Sequence, residues 1–142
     1  MSALMLGFVA ATLGCRADVT GVSATEPITG PGTVYALASV NEVALPMTVP
    51  RVGNVVIEVR KGALTLGTDS TYIYSLALRT SVNGGPATSS TTTMRGSFTR
   101  SSLALTLLQL SDTMFVGNYT PNIVSLQVVK AEAPGQRFVF VR

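Results

Sequence analysis

Histidine and tryptophan are absent from this 142-residue chain, cysteine occurs once, and charged residues make up only 12%. Each shortage excludes a chemistry. Without histidine the commonest general base is missing, as are the usual Ser-His and Cys-His nucleophile pairs and most zinc sites. A single cysteine permits no internal disulfide. The two lysines, Lys61 and Lys130, stand in no Ser-x-x-Lys arrangement. Ten basic residues against seven acidic ones leave a net charge of +3, but the basic residues are scattered and only Arg60 and Lys61 are adjacent. A nucleic-acid surface needs a clustered basic face, so no nucleic-acid partner is expected. No dense Asp/Asn/Glu loop suits calcium. No glycine pattern cradles phosphate, since Gly84-Gly85-Pro86 reads as a hairpin tip. Neither metal nor cofactor is expected.

The seven carboxylates are Asp18, Glu26, Glu42, Glu58, Asp69, Asp112 and Glu132. Only the fold could bring two of them together, Glu58 and Asp112 for instance, and a carboxylate-based hydrolase is therefore the most remote reading. Asp69-Ser70-Thr71 and Asp112-Thr113-Met114 read as turns, because Asp hydrogen-bonds its own backbone two residues on. No catalytic residue is assigned, and the chain is read as a non-enzyme.

What is present begins with MSALMLGFVAATLGC. From Ala3 to Leu13 this stretch is apolar apart from Thr12. As a helix rising ~1.5 Å per residue it reaches roughly half of a ~30 Å hydrocarbon core, too short to span. It does suit the apolar core of an export signal. As a strand it reads poorly, because Gly7 interrupts it and apolar and polar residues do not alternate. Thr12-Leu13-Gly14-Cys15 resembles the lipobox of bacterial lipoproteins, in which small or aliphatic residues precede the cysteine that is lipidated. That resemblance implies a signal peptide over 1–14, a lipid anchor on Cys15 and an exported domain on the cell envelope, facing the outer membrane or periplasm. Two or three acyl chains hold a soluble domain on a membrane where one holds it only marginally. Residues 15–32 then form a lipidated Cys and tether, rich in Thr, Ser, Gly and Pro and without periodicity. The domain spans 33–142.

Within it strand signals dominate. TYIYSLALRT places Tyr72, Tyr74, Leu76 and Leu78 on one face and Ser75 and Arg79 on the other. Val55, Ile57 and Val59 oppose Val56, Glu58 and Arg60, and Phe138 and Phe140 alternate with Val139 and Val141. Further strands are predicted over 34–40, 89–100, 102–110 (with a bulge near Leu108), 113–119 and 123–131. Turns are predicted at Lys61-Gly62, Thr68-Asp69-Ser70, Asn83-Gly84-Gly85-Pro86, Thr120-Pro121-Asn122 and Ala133-Pro134-Gly135. The fold class is all-β, an antiparallel meander of about eight strands. It is expected to close into a small lipocalin-like barrel, since closure removes edges; the alternative is a two-sheet sandwich. Antiparallel closure brings TVYALASV beside RFVFVR, with the short ALTL segment extending a neighbour or capping an end. The hydroxyl-rich ATSSTTT, 87–93, suits a solvent-facing strand; recognition of an ordered surface is the weaker reading.

The pattern V-Y-x-L-x-S-V-N-x-x-x-L-P over 34–46 resembles the opening of a group of small bacterial envelope lipoproteins, lipocalin-like in outline. Gly62-Ala63-Leu64-Thr65-Leu66, Asp69-Ser70-Thr71, Gly96-Ser97-Phe98-Thr99, Leu103-Ala104-Leu105 and Phe138-Val139-Phe140-Val141-Arg142 continue the likeness, while Glu42 stands where that group has a hairpin glycine. The motifs are structural, so the resemblance implies fold and compartment and carries no site residue.

Tyr35, Tyr72, Tyr74, Tyr119, Phe98, Phe115, Phe138 and Phe140 all fall on predicted strands. An eight-stranded barrel is barely wide enough for its own side chains, so these rings are expected to fill it. The alternative is a carrier or sensor whose aromatics line a pocket for a small apolar ligand. The leading expectation is a lipid-anchored, non-catalytic β-barrel module, monomeric, with a binding role toward a small apolar ligand or an envelope protein.

Overall fold

The computed structural model describes residues 32–130 and 135–142. The expected signal segment 1–14, Cys15, the tether as far as 31 and most of the Ala133-Pro134-Gly135 turn lie outside the described residues. Ten strands follow one another: β1 (Gly32–Val40), β2 (Val43–Ala44), β3 (Met47–Val52), β4 (Val55–Gly67), β5 (Thr71–Val82), β6 (Thr88–Ser101), β7 (Ala104–Gln109), β8 (Asp112–Tyr119), β9 (Ile123–Val128) and β10 (Arg137–Val141). No helix long and apolar enough to cross a membrane occurs among the described residues.

Every strand pairing is antiparallel, and β1, β4, β5, β6, β7, β8, β9 and β10 close on themselves because β1 pairs with both β10 and β4. This is the barrel, and it settles the choice against a sandwich. The short ALTL segment is a full member, β7, held between β6 and β8. The extra strands are β2 and β3, which sit where the β1–β4 seam opens. The residues of β3 give no clean alternation, and Pro50 within it cannot donate a ladder hydrogen bond.

Side chains alternate in and out along each strand. Val124, Leu126 and Val128 on β9, Leu105 and Leu107 on β7, and Phe138 and Phe140 on β10 all face the core. Two bulges keep that alternation in phase with the closure. On β4 the inward residues Ile57 and Val59 are odd-numbered, whereas Leu64 and Leu66 are even-numbered, and the register slips by one residue between Val59 and Lys61. On β1 the slip between Leu37 and Ser39 likewise converts inward Tyr35 and Leu37 into inward Val40. An extra residue bends a strand and re-aims the side chains beyond it. The bulge predicted near Leu108 falls instead on the facing strand: between the Leu107–Phe115 and Leu108–Thr113 pairs, Met114 of β8 is the extra residue.

Lys61-Gly62 is no turn. β4 runs straight through it for 13 residues. Glycine is there because β1 leaves β4 at this point: a Cβ on Gly62 would lie 2.9 Å from the Leu37 side chain and 2.8 Å from that of Leu76. The Asx turn at Asp69 is confirmed, its Oδ1 accepting hydrogen bonds from the Thr71 amide at 3.1 Å and the Thr71 hydroxyl at 2.6 Å. Those bonds hold the Asp69 carboxyl below its ordinary pKa.

Candidate functional site

Aromatic side chains are packed deep in the interior. Tyr35 and Phe140 are 0% exposed, Tyr72 1%, Tyr74 and Phe115 4%. Tyr74 is the hub, its ring centroid 5.2 Å from Phe115, 5.9 Å from Phe138 and 6.0 Å from Phe140, two of these contacts edge-to-face. The expectation that aromatics fill the barrel therefore holds for Tyr72, Tyr74, Phe115, Phe138 and Phe140. Tyr35 is buried in the core as well but also borders one end of the barrel, where the partly buried Phe98 and Tyr119 lie.

At one end lie the start of β1, the β4–β5 and β8–β9 turns and the last residues of β6. Here an open cleft of about 650 Å³ is lined by Tyr35, Leu66, Phe98, Arg100 and Tyr119, with the hydroxyls of Thr33, Thr68, Ser70 and Thr99 around it. Tyr35 and Tyr119 meet edge-to-face at 6.3 Å. The Tyr35 hydroxyl donates to the Pro121 carbonyl at 3.4 Å, and the Arg100 guanidinium rests 4.7 Å above the Tyr119 ring, within cation–π range. Burial pushes the Tyr35 hydroxyl up to about 12; the neighbouring Tyr119 adds to the rise, and Arg142 and Arg100 oppose it. The cleft combines an apolar floor, a cation and a rim of hydroxyls, a set suited to holding a small amphiphile. It contains no paired nucleophile and base.

At the other end β4, β5 and β6 outrun the barrel. They have 13, 12 and 14 residues, against 5 in β10 and 6 in β7 and β9. With β3 on the far side of β4 they make a four-stranded arm in the order β3-β4-β5-β6. Val55 to Val59 of β4, beyond its bulge, project the arm by about 15 Å at ~3.3 Å per residue. Its inner face continues the core: Val49, Leu76, Leu78 and Met94 pack against the buried residues, and Val82 at the tip is 52% exposed. Its outer face carries Glu58, Arg60, Lys61 and Arg79, with Arg60 donating to Glu58 at 2.8 Å.

The carboxylates raised by the sequence are not brought together. Glu58 sits on the arm with Arg60, whereas Asp112 opens β8 and accepts from Lys130 at 2.6 Å. Their strands, β4 and β8, are not neighbours in the barrel. No group of three or more Cys, Asp or Glu side chains gathers among the described residues. Cys15 lies outside them. No local pattern announces the cleft, whose residues come from β1, β4, β6, β8 and one turn; the arm is foreshadowed by the length of the strands at 71–80 and 89–100.

Comparison of the chain with family models, curated proteins and solved structures returns no match.

Proposed function

We propose that this protein is a lipid-anchored β-barrel module of the bacterial cell envelope, tethered through Cys15 and acting by binding rather than catalysis. The observation that carries this reading is the polarity of the domain. β1 begins at the cleft end, so a tether over 15–32 enters there, and the arm juts from the opposite end. A domain held that way directs its arm away from the membrane, toward whatever the envelope presents. The filled interior and the separately paired Glu58 and Asp112 support a binding role over an enzymatic one.

The test is metabolic fatty-acid labelling of the wild type and Cys15→Ser, with mass spectrometry of the mature N-terminus. Label that is lost in the variant, on a chain beginning at Cys15, supports the anchor. An unlabelled chain retaining Met1 overturns it. A second reading, binding of a small amphiphile, is favoured by the cleft. A lipophilic fluorescent probe that binds wild type, and binds Tyr119→Ala and Arg100→Ala more weakly, supports it; no binding removes it.

A further inference from the structure

A closed barrel has no edges, but the arm restores two. The β3 edge is blunted by Pro50, which cannot donate. The β6 edge is not blunted. β7 pairs with β6 only from Ser97 onward, opposite Leu108. From Thr88 to Met94, β6 pairs with β5 alone among the described residues. This stretch reads TSSTTTMRG, with no proline and no charge before Arg95, and Thr88 to Thr93 are all exposed. Natural sheets protect long exposed edges with prolines, charges or bulges; from Thr88 to Met94 this one has none.

The direction of its free hydrogen-bonding groups follows from the ladder. The Phe98 amide donates to the Ser70 carbonyl at 2.8 Å, and the Asn83 amide to the Asn54 carbonyl at 2.9 Å. In an antiparallel pair the bonded residues alternate. Even-numbered residues of β6 therefore bond to β5, while Ser89, Thr91 and Thr93 turn both N–H and C=O outward.

We propose that this edge is taken by the same edge of a second copy, pairing β6 antiparallel to β6 about a two-fold axis at Thr91. The phase fits: Ser89 meets Thr93 of the other copy, Thr91 meets Thr91, and all three outward residues exchange about six hydrogen bonds across the axis. The chemistry fits as well. Thr88 faces Met94 and Ser90 faces Thr92, so every cross-strand pair is uncharged and Arg95 falls outside the paired stretch. Thr–Thr and Ser–Thr pairs are favourable across strands. The two-fold axis stands perpendicular to the sheet, so both arms present their apolar inner faces on the same side. The two four-stranded arms then form one eight-stranded sheet. Where β7 takes over the edge, its turn carries Leu110, 96% exposed at a φ of 50°. This apolar residue stands at the point where Pro86-Ala87 of the other copy arrives. A single short run of paired residues makes a small interface, and such interfaces bind weakly. This dimer departs from the monomer expected from the sequence, and it does not depend on the anchor.

The test is sedimentation velocity of the full chain in a mild detergent from ~1 to ~500 μM, a range that captures a micromolar Kd. The expected result is a reversible monomer–dimer equilibrium. Thr91→Pro removes an outward N–H and leaves the β5 ladder intact; Thr91→Lys sets two like charges face to face on the axis. Each is expected to raise Kd at least tenfold while circular dichroism remains that of wild type. A dimer unaffected by Thr91→Lys overturns the proposal. So does a monomer throughout the range, whether amide exchange at Ser89, Thr91 and Thr93 is fast, leaving the edge empty, or slow, showing it taken by the chain's own segment.

Discussion

Tyr72 carries an unusual burden for a core residue. It is 1% exposed, and its hydroxyl has no hydrogen-bond partner among the described residues. Burial alone pushes that hydroxyl up to about 12. The ring is held in place from β6, where a Cβ on Gly96 would come within 2.9 Å of its Cε1 and would collide with the Leu108 carbonyl. An orphaned buried hydroxyl costs about 1–3 kcal/mol. Tyr72→Phe removes that cost and leaves a gap of one oxygen atom, worth about 0.3 kcal/mol at ~24 cal/mol per Å³. The net expectation is a gain of about 1–2 kcal/mol. For a domain of this size that raises Tm by roughly 4–8 °C. Equilibrium urea unfolding of the full chain, followed by far-ultraviolet circular dichroism because the chain has no tryptophan, measures it directly. Tyr35→Phe is the control. Its hydroxyl donates to Pro121, so the same deletion there is expected to be neutral or to cost up to about 1 kcal/mol. Loss of about 1 kcal/mol or more in Tyr72→Phe, with an unchanged m-value, would refute the reasoning by showing the hydroxyl to be paired.

Alkaline pH tests the same burial. Tyr35 and Tyr72 are raised from 10.0 to about 12 in the folded chain, so between these values the unfolded chain loses protons that the folded one keeps. Stability is complete below about pH 10 and falls by up to about 1.4 kcal/mol per pH unit per tyrosine above it; urea midpoints from about pH 9 to 12 follow the loss, and Tyr72→Phe should show a shallower slope. Gly117→Ala drives a methyl group into the Ser125 carbonyl of the paired strand, backbone against backbone, and is expected to cost about 3 kcal/mol or more, read as a fall in the urea midpoint. Glu42 occupies the left-handed region at a φ of 70°, beside Asn41 at 49°. The left-handed conformation costs a residue with a Cβ about 1–2 kcal/mol, and glycine loses part of that gain to entropy. Glu42→Gly is therefore expected to stabilise by about 0.5–1 kcal/mol in the same assay, and its exposed contact to Arg137 at 4.0 Å contributes little.

The alternation of Tyr72 with Tyr74, of Phe138 with Phe140 and of Leu105 with Leu107 is enough to establish an all-β chain, the inward face of most strands and the antiparallel pairing of the first strand with the last. These features are local: a period of two and a turn residue can be read from neighbours alone. Asp69 at its turn is of the same kind. Gly62 reads as a turn residue in the sequence, but its reason is not local. It is glycine to admit Leu37 from β1, a distant strand, and a turn glycine looks the same in sequence. The phase changes near Arg60 and Ala38 are illegible too, since only closure of the seam requires them. Tertiary structure alone decided that Tyr35, Phe98, Arg100 and Tyr119 share a cleft, that Glu58 and Asp112 do not meet, and that among the described residues the neutral Thr88–Met94 stretch pairs with β5 alone. Each of these depends on where one strand ends relative to its neighbour, and the residues of a single strand carry no record of that length difference.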